Sequence, residues 1–274
     1  MAFPTLFSIT LSLTNYSGGK VFGEGSDWKF VGFKHYARMF RDQYFWIALK
    51  NNFWIMLMSV FIQIPLGFVF AYTIFRKLIR GGEFFQTMIY MPSVISSIVV
   101  AVLWQTIFSP YGPVTDFMRL FNPTWENTIA NDPNRAILPV LFVMVWFYTG
   151  MYLIIFLANL QKIDTQVIEA ARIDGASEGQ MLRAIILPAL SGVIVTSAIL
   201  AIAGSLKSFD LIFAMTSGNP ARRTSVLSLY MYDNAFRGSP DYPLANAIST
   251  FMVALSFVLI VATKKLEKRF GGKE

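Results

Sequence analysis

Long stretches almost free of ionisable side chains constrain this chain more than any other feature. Five of them occur, at residues 51–75, 84–115, 136–162, 184–206 and 242–263. An α-helix rises about 1.5 Å per residue, so each stretch is long enough to cross a hydrocarbon layer of roughly 30 Å. Helices also satisfy their backbone groups internally, as a segment in lipid must. We therefore predict an all-α polytopic membrane protein.

Composition supports a membrane protein and excludes other classes. Hydrophobic residues make up 55% of the 274 residues and charged residues 14%, whereas a soluble domain carries about 25% charged residues. The net charge of +7 is explained by basic connections on one side of the membrane and by contact with lipid. Nucleic-acid binding would need a basic run interleaved with exposed aromatics, and the sequence has none. The chain has no cysteine and one histidine, which excludes disulfides and thiolate metal sites. We expect residues 1–274 to form a single domain.

The beginning of the chain and its basic residues predict the topology. We expect residues 1–16 to be the outer part of a truncated first span, which makes about six spans; the alternative is a re-entrant or interfacial segment. Lys and Arg are dense in the short connections 76–83 and 161–183 and in the tail from residue 264. Those segments are therefore predicted to be cytoplasmic, with both termini on that side. Residues 33–44 predict an amphipathic interfacial helix, and Pro65 and Pro92 permit kinks within spans.

The cytoplasmic connection 161–183 predicts a protruding pair of short helices. Asp164 or Thr165 can cap the first helix, and Ser177 can cap the second. Gly175 between them suits a left-handed turn. Such a surface can dock into a groove of a soluble partner, and the alternative is an amphipathic elbow that lies on the membrane.

Here the sequence resembles a known family. Glu169-Ala170-Ala171, three residues, Gly175, nine residues, Ile185, one residue and Leu187-Pro188 match the EAA signature of ABC importer permeases at every defined position. Residues 169–176 look like the carbohydrate-uptake branch, which includes maltose- and glycerol-phosphate-type importers. Weaker similarities at residues 13–16, 31–33, 84–92, 208–211 and 216–220 extend the resemblance over nearly the whole chain.

The resemblance implies a bacterial inner-membrane permease subunit that works by alternating access. Its implied partners are a second homologous permease subunit, two ATP-binding cassette subunits and an extracytoplasmic solute-binding protein, besides membrane lipid. The EAA loop, at residues 161–188, would be the coupling helix that fits a cleft on an ATPase. The implied ATPase-coupling residues are Glu169, Ala170, Ala171, Asp174 and Gly175.

Polar residues within the spans are the candidate substrate contacts, because they cost free energy unless they are satisfied. A sugar needs hydroxyl and amide partners and aromatic faces. The alternative for a serine is a hydrogen bond to its own preceding carbonyl. Where the branch commonly has a small residue, this chain has Tyr148, which could narrow the cavity or stack on a sugar. The candidates, which also match segments that line the family's cavity, are Ser93, Ser97, Tyr148, Ser205 and Ser208.

Three other functions are weighed against a sugar importer. The string Gly175-Ala176-Ser177-Glu178-Gly179 fits the nucleophile elbow of hydrolases, but no strand precedes it and no histidine follows it. An ATP-independent transporter would leave the EAA loop unexplained. The third alternative is a permease for another solute, such as a phosphate ester. A heavily basic cavity would favour such an anion, and the spans offer only Lys207. Because no Walker A motif occurs, we expect no cofactor in this chain, with ATP and Mg²⁺ bound by the partner ATPases.

Overall fold

The computed structural model describes residues 2–19, 28–125 and 132–270. Within these ranges the chain is helical, with one isolated antiparallel bridge between Thr14 and Phe30. Two π turns, Ser59–Gln63 and Leu182–Ile186, and one 3₁₀ turn, Met91–Val94, interrupt the helices. The α-helices of the described ranges are α1 (Ala2–Ser12), α2 (Lys34–Arg41), α3 (Gln43–Met58), α4 (Ile64–Phe75), α5 (Gly82–Tyr90), α6 (Ser97–Ile107), α7 (Pro113–Arg119), α8 (Ile137–Leu160), α9 (Thr165–Ile173), α10 (Glu178–Met181), α11 (Leu187–Ala189), α12 (Ser191–Lys207), α13 (Asp210–Thr216), α14 (Leu227–Phe236) and α15 (Tyr242–Phe270).

Three helical segments of the described ranges are long and apolar enough to cross a membrane. They are Gln43–Phe75, Ile137–Leu160 and Tyr242–Lys265. Two bent helix pairs, α5 to α6 and α10 to α12, raise the number to five if each pair counts as one span. The all-α polytopic fold is thus confirmed, and the number of about six spans stays a prediction.

The span predicted at residues 84–115 consists of two helices with a sharp bend between them. The chain bends by 98° between α5 and α6, where Ile95 has ψ 150° and Ser96 has ψ 131°. Pro92 lies within the 3₁₀ turn before this bend, where it cannot donate the backbone hydrogen bond of a continuing helix. The predicted kink at Pro92 is therefore a complete break.

The span predicted at residues 184–206 is also bent. A 65° bend separates Glu178–Ala189 from Ser191–Lys207, and it falls at the buried Leu190, which has ψ 4°. Only α12 continues as a long helix, so the first third of the predicted span belongs to the coupling segment.

Pro65 is accommodated differently, by a widened turn. The helix continues from Gln43 to Phe75 as one segment of 33 residues, and the π turn Ser59–Gln63 immediately precedes Ile64-Pro65. The second π turn likewise precedes Leu187-Pro188. A proline cannot bond the carbonyl four residues before it, and a π turn accommodates that lost bond without a sharp bend.

The polar residues of the first segment join α1 to its neighbours. Ser8 Oγ donates to Asn246 Oδ1 of α15 at 2.6 Å, and Ser12 Oγ lies 2.8 Å from the Tyr36 hydroxyl of α2. The 11 residues of α1 extend about 16 Å, half of a hydrocarbon layer. This length fits both the partial span and the interfacial segment that the sequence predicts. The amphipathic helix predicted at residues 33–44 is α2, with Met39 fully buried.

Helix α8 lies at the centre of the molecule. Its buried side chains pack against α3, α6 and α13 near one end and against α4 and α12 near the other. A separate cluster around Phe45 and Tyr230 joins α2, α3, α14 and α15. Because α8 is apolar on all sides, it can contact every neighbour without exposing a polar stripe. This arrangement fixes α3, α8 and α12 around a shared space.

Candidate functional site

The connection 161–183 contains the two short helices that its capping residues predict. The Asp164 side chain accepts a hydrogen bond from the Gln166 backbone N–H at 2.9 Å and caps α9. Ser177 and Gln180 form a reciprocal capping box at the start of α10. Gly175 has φ +81°, a left-handed conformation in which a Cβ atom would be strained. Ser177 therefore has a structural role as a helix cap.

The outer face of α9 is exposed and carries unpaired carboxylates. Glu169, Ala170, Asp174 and Gly175 are exposed, and Ala171 is half-buried. Neither the Glu169 nor the Asp174 carboxylate makes a hydrogen bond or ion pair with any residue that the structure describes. Ile173 is 86% exposed although it is large and apolar. An exposed apolar residue beside two free carboxylates is typical of a contact surface.

The inner side of the loop is anchored to α4 through Glu178. Tyr72 donates its hydroxyl hydrogen to Glu178 Oε2 at 3.0 Å, and the Arg76 guanidinium pairs with Glu178 Oε1. Arg172 of α9 lies 3.7 Å from the same oxygen. The Arg76 side chain is 5% exposed, so its charge is largely removed from water. We call Tyr72, Arg76, Arg172 and Glu178 the Glu178 junction, because they connect α4, α9 and α10.

A cavity of about 180 Å³ lies between α3, α8 and α12. Three of the predicted substrate residues, Tyr148, Ser205 and Ser208, line it together. The Tyr148 ring is half-buried and packs edge-on against Phe147, with ring centroids 4.6 Å apart. Tyr152 and Met151 of α8 complete that wall. The cavity therefore offers aromatic faces beside hydroxyl groups.

The hydroxyl groups of the predicted serines donate hydrogen bonds to nearby backbone carbonyls. Ser205 Oγ donates to the Ile202 carbonyl at 2.8 Å, and Ser208 Oγ donates to the Ser205 carbonyl at 2.7 Å. Their lone pairs can still accept hydrogen bonds. Ser93 and Ser97 lie at the break between α5 and α6 and do not line the cavity, and Ser93 Oγ donates to the Tyr90 carbonyl. The substrate role of all five residues stays a prediction.

Sequence reasoning missed Ser59 and Gln63 as cavity residues. Both are buried, belong to the π turn and line the cavity. Gln63 Nε2 donates to the Met144 carbonyl of α8 at 2.9 Å. The Ser59 hydroxyl makes no hydrogen bond to a described residue. The proline that follows them, Pro65, could have indicated a π turn at these positions. Such turns occur often at functional sites.

The lining of the cavity carries no Asp, Glu, Lys or Arg among the described residues. Lys207 is exposed at the end of α12 and does not belong to it. An anion in this space would meet no positive side chain from the described lining. The cavity therefore suits a neutral, polyhydroxylated solute.

Two glycines set how closely neighbouring helices approach α8. A Cβ atom at Gly67 of α4 would lie 2.5 Å from Tyr152 Cβ, and one at Gly150 would lie 2.4 Å from the Ile89 carbonyl oxygen. Real Cβ atoms do not approach other atoms so closely. Gly67 and Gly150 thus place α4 and α5 against the cavity-lining helix.

Comparisons with known proteins agree with these features. A family profile described as "Binding-protein-dependent transport system inner membrane component" matches residues 63–272. The lactose transport system permease protein LacF of Rhizobium radiobacter is 32% identical over 262 residues, covering 94% of this chain and 86% of the relative. The multiple sugar-binding transport system permease protein MsmF of Streptococcus mutans serotype c is 31% identical over 268 residues, covering 98% and 90%.

A solved structure has the same fold. It is a bacterial ABC transporter involved in the import of the acidic polysaccharide alginate, and it matches with a TM-score of 0.82 at 22% identity. The match covers 98% of this chain and 90% of the other. The overall arrangement of helices is therefore shared with a chain of that transporter.

Proposed function

Since the chain belongs to the family of binding-protein-dependent transport system inner membrane components, we propose that it is the permease subunit of an ATP-driven sugar importer. It is a membrane transport component and not an enzyme. The similarity to the permeases LacF and MsmF supports a mono- or oligosaccharide as the solute. In this proposal the subunit alternates between inward-facing and outward-facing states.

The observation that carries the proposal is the exposed face of α9. Glu169 and Asp174 have free carboxylates, and Ile173 adds exposed apolar surface. The left-handed turn at Gly175 follows directly. Ala170 and Ala171 are small enough for a partner to approach the helix closely. Each ATP-binding cassette subunit would receive such a loop, and coupling arises because the contacts differ between the two states. ATP and Mg²⁺ are bound by those partner subunits.

The cavity supports a neutral sugar over a phosphate ester. Tyr148 and Tyr152 offer aromatic faces, and Ser59, Gln63, Ser205 and Ser208 offer polar groups. A phosphate dianion would lack a cationic partner in the described lining, and burying an unpaired charge is costly. If the chain were an ATP-independent transporter, its exposed loop 161–183 would have no ATPase to contact.

The proposal also covers the assembly and its orientation. A second permease subunit completes the pathway, and an extracytoplasmic binding protein delivers the solute. The whole chain, residues 1–274, acts as one transmembrane domain that includes the coupling loop 161–188. With the basic connections 76–83 and 161–183 inside, the C-terminus is cytoplasmic, and the N-terminus is cytoplasmic as well when the first segment counts as a span.

Co-purification tests the proposal. The tagged chain is expressed with its genomic neighbours, extracted in mild detergent and assayed for retained ATPase. Space is open at both Gly175 and Gly179, but only Gly175 has a positive φ. The variant Gly175→Val therefore places a Cβ in a left-handed turn, and Gly179→Ala is the matched control. We expect the wild type and Gly179→Ala to retain the ATPase and Gly175→Val to lose it.

The solute is tested separately in proteoliposomes. The complete transporter should hydrolyse ATP faster when its binding protein carries a sugar. Wild-type protein that retains no ATPase in several detergents would contradict the importer. Stimulation by a phosphate ester but by no neutral sugar would contradict the proposed solute.

A further inference from the structure

A second cavity shares Ser205 with the first but has no lining residue from α8. It has a volume of about 370 Å³ and opens between α3, α12 and α15. Its walls are almost entirely apolar. The lining residues are Trp46, Leu49, Lys50, Asn52, Phe53, Met56, Ser205, Leu206, Leu255 and Leu259. We call this space the α3–α15 groove.

The polar groups of the groove are internally satisfied, with one exception. Asn52 Nδ2 donates to the Ser205 carbonyl at 2.5 Å, and Asn52 Oδ1 accepts from the Leu227 backbone N–H at 2.8 Å. Ser205 Oγ donates to Ile202. The Lys50 ammonium makes no hydrogen bond or ion pair with any residue in the part of the chain that the structure describes. The α3–α15 groove thus has apolar walls and one unpaired ammonium group, that of Lys50.

The position of Lys50 along its helix places it at the membrane boundary. It is the one ionisable residue with a full charge at neutral pH in the 33-residue segment Gln43–Phe75. That segment extends about 50 Å, so centring it on a hydrocarbon layer of about 30 Å leaves roughly 10 Å at each end. Lys50 follows Gln43 by seven residues, which is again about 10 Å. Trp46, one turn earlier, is half-exposed and donates its Nε1–H to the Phe40 carbonyl, as suits an interfacial tryptophan.

We propose that the α3–α15 groove binds one anionic phospholipid, whose acyl chain lies along Phe53, Met56 and Leu255 and whose phosphate pairs with Lys50. Charge complementarity selects this occupant. The hydroxyl of Ser205 and the amide of Asn52 already donate to backbone carbonyls, and the cation of the groove lies where a headgroup meets the hydrocarbon. A zwitterionic lipid fits the same walls but carries a compensating positive charge next to its phosphate.

Native mass spectrometry of the complete transporter tests this site. The complex is titrated in detergent with phosphatidylglycerol and, in parallel, with phosphatidylcholine. We expect one phosphatidylglycerol to bind more tightly than phosphatidylcholine. Lys50→Gln should weaken phosphatidylglycerol binding about fivefold, and Lys50→Arg should preserve it. Lys207→Gln is the matched control, because Lys207 is also exposed but lies outside the groove.

A second variant separates the groove from the charge. Leu255→Trp fills the apolar channel and keeps Lys50, so it should also lose the bound phosphatidylglycerol. Equal binding by the wild type and Lys50→Gln, or equal binding of the two lipids, would overturn the proposal. A photo-reactive residue at position 53 that cross-links to the companion permease instead of to lipid would overturn it as well.

Discussion

Single glycines determine whether the helices around the substrate cavity can pack. Gly67 and Gly150 lie where a methyl group would overlap Tyr152 and the Ile89 carbonyl, respectively. The Tyr152 Cβ atom and the Ile89 carbonyl oxygen are both fixed by the backbone, so neither can rotate away from an added methyl group. Because it has no side chain, Gly150 lets α5 touch α8.

We predict that Gly150→Ala destabilises the subunit by about 1–3 kcal/mol, because the added methyl group forces α5 and α8 apart. The measurement is the thermal unfolding midpoint in detergent. Gly192→Ala serves as the control, since a Cβ atom there meets nothing within 4 Å. Equal midpoints for the two variants would contradict the close approach.

The aromatic ring at position 148 is the single side chain that we expect to select a sugar. We predict that Tyr148→Leu lowers transport at subsaturating sugar about fivefold, because a stacking contact of about 1 kcal/mol is lost. Tyr148→Phe keeps the ring and should be affected less. Uptake of labelled sugar into proteoliposomes measures both.

Ser93→Ala and Ser97→Ala are the comparison for the cavity. Because these residues lie at the α5–α6 break and outside the cavity, we expect each substitution to lower uptake less than Tyr148→Leu does. A larger loss from Ser93→Ala than from Tyr148→Leu would show that another conformation brings the break into the pathway.

At the scale of elements, the Glu178 junction connects the coupling helix to a membrane span. Arg76 ends α4, Arg172 belongs to α9 and Glu178 begins α10. Arg76 and Glu178 are 102 residues apart in sequence. Under the proposed function an ATPase moves α9, and the junction offers a route by which that movement would reach the span Gln43–Phe75.

We predict that Arg76→Gln uncouples ATP hydrolysis from transport, because α4 loses its charged partner on the loop. The expected result is a several-fold lower ratio of sugar transported to ATP hydrolysed, with the ATPase still bound. Arg80→Gln is the control in the same connection, since Arg80 is exposed and outside the junction. The ratio is measured in proteoliposomes.

Charge reversal distinguishes coupling from simple destabilisation. The double variant Arg76→Glu/Glu178→Arg restores an attractive pair, so it should recover part of the ratio that either single reversal loses. If both single reversals transport sugar with the wild-type ratio, the junction has no role in coupling.

At the scale of the whole molecule, the orientation in the membrane decides which surface meets which partner. Tyr111, between α6 and α7, is 88% exposed, and Ile173 of α9 is 86% exposed. The proposed topology places them on opposite sides of the membrane. The absence of cysteine means that a single introduced thiol reports on its own position.

We predict that a membrane-impermeant thiol reagent labels Tyr111→Cys but not Ile173→Cys in intact cells. Inverted membrane vesicles should give the opposite pattern, because the basic connections then face the reagent. Labelling of Ile173→Cys from outside would reverse the topology and remove the ATPase contact proposed for α9.

Features that depend on neighbouring residues follow from the amino-acid sequence alone. A long stretch without ionisable side chains predicts a helix in lipid. In the hydrocarbon every backbone group needs a hydrogen bond within the protein, and an unpaired charge is costly. Asp164, Gly175 and Ser177 define the coupling loop because helix caps and left-handed turns are formed within a few residues. The EAA string is local in the same way, so the order of its residues is enough to identify the family.

Contacts between distant segments depend on the folded molecule. The bends at Ile95–Ser96 and Leu190, the cavity formed by Gln63, Tyr148 and Ser205, and the pair of Arg76 with Glu178 could not be read from local patterns. A hydrophobic run looks the same whether it remains straight or bends against a neighbour. Helices that cross lipid are specified by solvation of each segment, whereas their contacts are specified by close packing between segments.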